Sequence, residues 1–323
     1  MTRAMILAAG LGTRLGELSD ERPKPMLPVV DIPLIRYAVA LLRGHGVREI
    51  VVNLHHRGDL IQTELGDGSR LGVNIVYSPE ETLLGTGGGI RRALPLLGDE
   101  PFFVLNGKIV VDVDLEAMKL HQRATGARAV LLVRADPEAK SWNAIAAPPE
   151  GGRIESIFGE GAYMFTGVHL IDPSLVARLP DDGADRCIVR QGYVPWLEEG
   201  LAIHALPMDP ARYFMEHSTP ERYLEGNLNL LRGRAKLAHP PGPLVGVDAA
   251  ADVHPEAELV APVRIGPGAT VGAYAVVGPD VVIGARARVA AGVRVSRSVI
   301  WSGVTLAQDT DGAIVTPRQR VKP

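Results

Sequence analysis

Apolar residues fall along this chain in short runs separated by amphipathic stretches. AMILAA at 4–9 reads as a buried strand, PLIRYAVALLRGHG at 33–46 as a helix with Pro at its start and Gly at its end, and EIVVNL at 49–54 as the next strand. The alternation continues through a helix at 59–66, a strand at 73–77, a helix at 88–97 and a strand at 102–106. It predicts an α/β fold of the Rossmann-like kind, a mostly parallel sheet between helices. Small ligands bind such sheets at the strands' carboxyl ends. The Gly-rich or charged segments 10–25, 85–89 and 106–114 fall at such ends.

The pattern changes beyond KLAHPPGPLVGVDAA at 236–250, a Pro- and Gly-rich stretch that reads as a linker between domains at 1–235 and 251–323. Val253, Leu259, Ile265, Val271, Val277, Ile283, Val289 and Val295 recur at every sixth position without a slip. Six steps of 100° carry a helical side chain far from its starting azimuth, so a helix cannot keep these residues on one face. A three-sided coil of short strands can, and hexapeptide repeats of this kind predict a parallel β-helix with each aliphatic stacked on the next coil. A Gly-rich sandwich with accidental spacing is the alternative.

Composition narrows the function. The chain's 323 residues, 46% of them hydrophobic, supply a large core without staples. Thirty-four basic and 37 acidic residues give a net charge of −3 with no basic block, which argues against nucleic acid or a membrane surface as partner. The single cysteine, Cys187, excludes an internal disulfide framework and a multi-cysteine zinc site, and fits a reducing, cytoplasmic compartment. The apolar run at the N-terminus stops at GLGTRLG before it could form a signal peptide, and no run reaches membrane-spanning length.

ILAAGLGTRLGELSDERPKPMLP at 6–28 places a glycine-rich loop after the first strand. Such a loop lets backbone N–H groups approach phosphates or a base edge, and Arg14 and Lys24 add positive charge suited to a triphosphate. A dinucleotide fold of the GxGxxG type is excluded because Leu15 takes the third glycine position and a dozen polar residues follow instead of a helix.

GLGTRL followed by RPKPMLPV resembles the signature of the sugar-1-phosphate nucleotidylyltransferases, the NDP-sugar pyrophosphorylase family. LLGTGGGI at 83–90 is similar to their nucleoside-binding loop, NGKIVVDVD at 106–114 to their metal-binding segment, FTGVHL at 165–170 to a sugar-pocket strand, and STPERYLEGN at 218–227 to their closing motif. The C-terminal hexads resemble the left-handed β-helix of several members, mannose-1-phosphate guanylyltransferases among them. The resemblance covers nearly the whole chain, in order. It implies that a nucleoside triphosphate and a hexose 1-phosphate give an NDP-sugar and pyrophosphate, with Mg²⁺ as cofactor. Arg14 and Lys24 would hold the triphosphate. Ala9, Gly10, Gly12, Thr13, Gly85 and Thr86 would contact the nucleotide, and Asn143, Ala144, Glu160, Thr166 and Gly167 would border the sugar. Displacement at an α-phosphorus needs alignment and charge neutralisation more than a nucleophilic side chain.

One departure stands out. The resemblance puts a metal-binding aspartate after Asn-Gly, where this chain has Lys108, with a second oxygen ligand at Glu216. A protonated lysine cannot ligate a cation. Three readings of Lys108 stand open: its +1 charge replaces the sum of an aspartate and Mg²⁺; it pairs with Glu216 or Asp112 and closes the metal site; or Asp112 or Asp114 binds a displaced ion. The function is accordingly that of a nucleotidylyltransferase or of a noncatalytic nucleotide-binding regulatory subunit with the same fold. An acyltransferase is a distant third, since His254 is the only histidine of the repeat region and the coils offer no buried catalytic one. His55 and His56, adjacent on a strand end, point oppositely and do not share a metal. The coil itself reads as structural or as the contact of a homo-oligomer.

Overall fold

The structure, a computed structural model, describes residues 2–142 and 144–323. It contains two compact units, one of Met1–Leu11, Ala38–Gly107 and Val111–Phe214, the other of Gly12–Tyr37, Lys108–Val110 and Met215–Pro323. Among the described residues no helix is long and apolar enough to cross a membrane.

The first unit is built on one sheet, ordered Gly152–Arg153, Ile203–Pro207, Ala129–Ala135, Tyr163–Ile171, Phe102–Asn106, Arg3–Leu7, Glu49–Leu54, Asn74–Pro79. From Phe102–Asn106 to Asn74–Pro79 the strands are parallel, with Val104 beside Met5, Met5 beside Val51, and Val51 beside Val76. Phe102, Phe103, Val104 and Leu105 are fully buried, as an interior strand of a covered sheet requires. Ile90, Ala93 and Leu97 of helix Gly85–Leu97 pack on Met5, Val51 and Phe102 to make the core. The alternation of elements therefore follows the sequence-based expectation, with one qualification. Strand Tyr163–Ile171 runs antiparallel to both neighbours, so the sheet is mixed. Its register slips between Phe165 and His169, and Gly167 sits in that bulge at φ 82°.

In the second unit the hexads wind through three parallel sheets. Val253 pairs with Val271, Val271 with Val289, and Val289 with Leu306 on one side; Leu259, Val277 and Val295 align on the next; Ile265, Ile283 and Ile300 on the third. Three hexads thus make one turn of a parallel coil. Ile265, Val271, Val277, Ile283, Val289 and Val295 are buried in its interior, each at a typical gain of about 1.5–3 kcal/mol. The unit also holds helix Pro220–Leu231, started by Thr219, whose side chain accepts the Arg222 N–H at 3.3 Å, and by Pro at its first turn. Before it in sequence lies a short hairpin, Pro28–Val29 with Ile32–Pro33.

Candidate active site

Within the second unit, Arg14, Lys24, Lys108 and Glu216 come together. Gly12 at φ 76° turns the chain into a single 3-10 turn, Thr13–Leu15, which buries Leu15 and leaves Arg14 exposed. Pro23 then sets up a second 3-10 turn, Lys24–Met26, in which Lys24 is 6% exposed. The Lys108 carbonyl accepts the His217 N–H at 3.2 Å, which brings Glu216 beside the lysine. Lys108 Nζ donates to Glu216 Oε1 at 2.7 Å, and an Arg14 guanidinium nitrogen stands 3.5 Å from the same oxygen. Three cations thus surround one carboxylate, and the local charge is +2. His217, the next residue, is fully buried on the other face against Tyr223, and burial together with Arg222 pushes its pKa down to about 3, so it adds no charge.

Burial, then the Lys108 and Arg14 cations, lower the Lys24 pKa to about 8, against the opposing pull of Glu216. Burial would raise the Glu216 carboxyl, but the charge and hydrogen bond of Lys108, with Arg14 and Lys24, hold it below its usual range. An exposed lysine keeps its proton to beyond pH 10; Lys24 gives up its proton as pH rises through about 8. Affinity for inorganic tripolyphosphate should therefore be level below that pH and fall above it, by up to about tenfold per pH unit for one linked proton. Calorimetry across pH 6–10 checks this, and a level profile to pH 10 would contradict it.

These residues do not fit a divalent ion. The Lys108 ammonium and the Arg14 guanidinium both sit on Glu216 Oε1, and among the described residues no group of three or more His, Cys, Asp or Glu could hold such an ion. Asp112 is not available as the second ligand: in the first unit its Oδ2 accepts from Arg212 at 3.0 Å. Asp114 caps helix Leu115–Thr125, accepting from the Glu116 and Ala117 N–H groups. The Lys108–Glu216 pair is present, and with Arg14 and Lys24 beside it the cluster stays cationic.

In the first unit, Ala9 is buried at the end of the first strand and Gly10 is exposed. Behind them Asn53 Oδ1 accepts the Ala8 N–H at 2.7 Å, Asn53 Nδ2 donates to Glu80 Oε1 at 2.7 Å, and Glu80 Oε2 accepts the Leu84 N–H at 3.1 Å. This buried pair ties the loop at Ala9 to the loop at Gly85 and Thr86. Sequence reasoning missed both residues; Asn53, a polar residue inside an apolar strand run, was the available signal. The amides of Gly87 and Gly88 donate to the Arg186 carbonyl, and Thr86 Oγ1 accepts the Ile188 N–H at 2.9 Å. Gly85, at φ 68°, has no room for a Cβ, which would lie 2.1 Å from Asp185 Oδ1.

The expected sugar residues scatter in their roles. The Thr166 hydroxyl is buried and donates to the Leu132 carbonyl at 2.8 Å, stabilising the bulge, while a Cβ on Gly167 would lie 2.1 Å from Asn106 Nδ2. Ala144 is buried. Glu160 pairs with Lys140 at 2.5 Å on an open surface, 87% exposed. Asn143 lies outside the described residues.

Residues 3–159 match the nucleotidyl transferase family, and residues 259–322 match the GMPPB C-terminal domain. N-acetylmuramate alpha-1-phosphate uridylyltransferase of Neisseria meningitidis serogroup B is 51% identical over 116 residues, 36% of this chain and 50% of that protein, so the match spans about half of that relative's length. Mannose-1-phosphate guanylyltransferase of Mycobacterium tuberculosis is 27% identical over 277 residues, 83% of this chain and 76% of that one. HddC of Yersinia pseudotuberculosis, solved in complex with GMP-PN, shares the fold with a TM-score of 0.59 at 22% identity, over 70% of this chain and 98% of that chain. Residues 3–159, with the glycine loop and the Lys24 turn, are thus similar to the nucleotidyl transferase family, and the C-terminal parallel coil is similar to the GMPPB C-terminal domain.

Proposed function

We propose that this protein is a sugar-1-phosphate nucleotidylyltransferase whose polyphosphate site is neutralised by lysine in place of a metal ion. The observation that carries this reading is the cluster of Arg14, Lys24 and Lys108 around Glu216. An oxygen of the sugar 1-phosphate attacks the α-phosphorus of a nucleoside triphosphate. The new P–O bond joins the nucleotide to the sugar phosphate, and the α–β bond breaks, with pyrophosphate taking its electron pair. The charge that builds on the leaving pyrophosphate is what fixed cations stabilise. Mg²⁺ is the family expectation that the donor set does not support. The reading places the protein in the cytoplasm with the triphosphate pool, and the hexapeptide period with the GMPPB-type match supports a left-handed coil.

A second reading is favoured by Lys108 itself. An ammonium offers charge without the octahedral template that a metal lends to both oxygens of an in-line displacement. A binder that holds triphosphate without turnover would serve a catalytic partner as a regulatory subunit. Pyrophosphate release from a panel of nucleoside triphosphates and hexose 1-phosphates separates the two. Turnover by the native protein is the expected result, and triphosphate binding without pyrophosphate from any pair would leave the regulatory reading.

A further inference from the structure

The loop that carries Arg14 and Lys24 groups with the C-terminal coil, far away in sequence. Arg22 lies over the Trp301 ring, 5.4 Å from its centre, and the Trp301 indole N–H donates to the Tyr223 hydroxyl at 3.0 Å. Tyr223 in turn donates to the Pro28 carbonyl, and Asn227 Oδ1 accepts the Val30 N–H at 2.7 Å. Glu21 Oε1 accepts from Thr316 Oγ1 and from Gln319 Nε2 at 3.2 Å. Asp31 accepts the Ala285 N–H at 3.1 Å and the Ser302 hydroxyl at 3.3 Å.

The turn that delivers Asp31 is held against its preference. Val30 and Asp31 both sit at positive φ, 52° and 63°, in a two-residue hairpin turn that ordinarily calls for Asn-Gly. A β-branched residue there is a conformational outlier, and such strain persists only where surroundings over-determine it. The coil is shaped to receive the carboxylate: a Cβ on Gly266 would lie 2.2 Å from Asp31 Oδ2.

We propose that the coil is the positioning element of the phosphate-binding loop, holding residues 12–31 so that Arg14 and Lys24 stand ready at Glu216. This rests on the reading of that cluster as a polyphosphate site. Neither Trp301 nor Asp31 touches the ligand; both act through the loop they fix. A cationic loop left loose would lose alignment with its anion even with every charge retained.

Inorganic tripolyphosphate binding by calorimetry tests this on the full chain, with Trp301→Phe, Asp31→Ala, Lys24→Met and, as a control, the coil-interior Val295→Ala. The expected result is a fall of about tenfold in affinity for Trp301→Phe and Asp31→Ala, with no fall for Val295→Ala. Hydrogen exchange should quicken at amides 12–26 in both loop variants while the coil stays protected. If Lys24→Met binds tripolyphosphate as the native protein does, the polyphosphate reading itself fails. If Lys24→Met loses binding while Trp301→Phe keeps native affinity and native exchange at 12–26, the reading stands and the positioning role is overturned. A loss in Val295→Ala equal to that in Trp301→Phe overturns it too, by tracing the effect to general stability. Should Asp31→Ala fail to fold, Ser302→Ala gives the same comparison with one contact removed.

Discussion

Lys108→Asp is expected to make triphosphate binding dependent on a divalent cation. The native cluster sums three cations and one carboxylate to +2, and the substitution brings that sum to zero. It also places a second carboxylate beside Glu216, which with water and substrate oxygens is what a hard cation needs. Two unit charges about 4 Å apart interact by about 4 kcal/mol at the effective dielectric of a partly buried site, and solvent at the 32%-exposed Lys108 reduces this. Under EDTA the variant's affinity for UTP or GTP should fall about 100-fold, equivalent to about 3 kcal/mol. Excess Mg²⁺ should restore it. A second readout follows from charge alone: with the Lys108 cation gone, Lys24 should titrate above its native value of about 8, and the alkaline fall in affinity should move to higher pH. A variant that bound equally well in EDTA would show that position 108 carries no part of the phosphate charge.

Glu216→Gln is expected to move stability and affinity in opposite directions. Glu216 is the counterion to Lys108 and Arg14, with its side chain only 11% exposed. Removing one partner of a buried pair leaves the other charge uncompensated, and allowing for the exposure of Arg14 and Lys108 the loss should be about 2–3 kcal/mol. Thermal melting would read it. The freed cations should bind tripolyphosphate more tightly at low salt, and adding that anion should recover much of the lost melting temperature. Because the folded-state pKa of Glu216 is lowered, its stabilising contribution is fully present above its ordinary value of 4.5 and is lost as pH falls through the lowered one. The difference between native and variant should therefore shrink in acid. Equal melting of the two at pH 7 would contradict the pairing.

What could be read from the sequence follows physical range. The hexads were legible because one period governs every coil, and the observed register repeats it, from Val253 to Val271 to Val289. The strands at 49–54 and 102–106 were legible because their apolar runs are continuous and short. Arg14, Lys24 and Glu216 could be singled out because motif order constrained them, and the Lys108–Glu216 pair was one of three open readings. The antiparallel course of Tyr163–Ile171 was not legible, since an apolar run has the same pattern in either direction. Nor was the hold of Trp301 and Ala285 on the loop at 21–31, which joins residues more than 250 positions apart and leaves no local periodicity. Val30 carries no turn signal and Asp31 alone is a weak one, because the backbone there is held by contacts that the turn itself does not encode. The Asn53–Glu80 pair escaped for a similar reason: its register is set by packing of the sheet.

The most direct measurement is titration calorimetry of the native protein with UTP and GTP, once with Mg²⁺ and once with EDTA. On the proposed reading, in which Lys108 supplies the charge of a metal, the triphosphate should bind with affinities that agree within a factor of about three in the two conditions. A loss of about tenfold or more on chelation would mean that a metal ion, and not Lys108, neutralises the bound triphosphate.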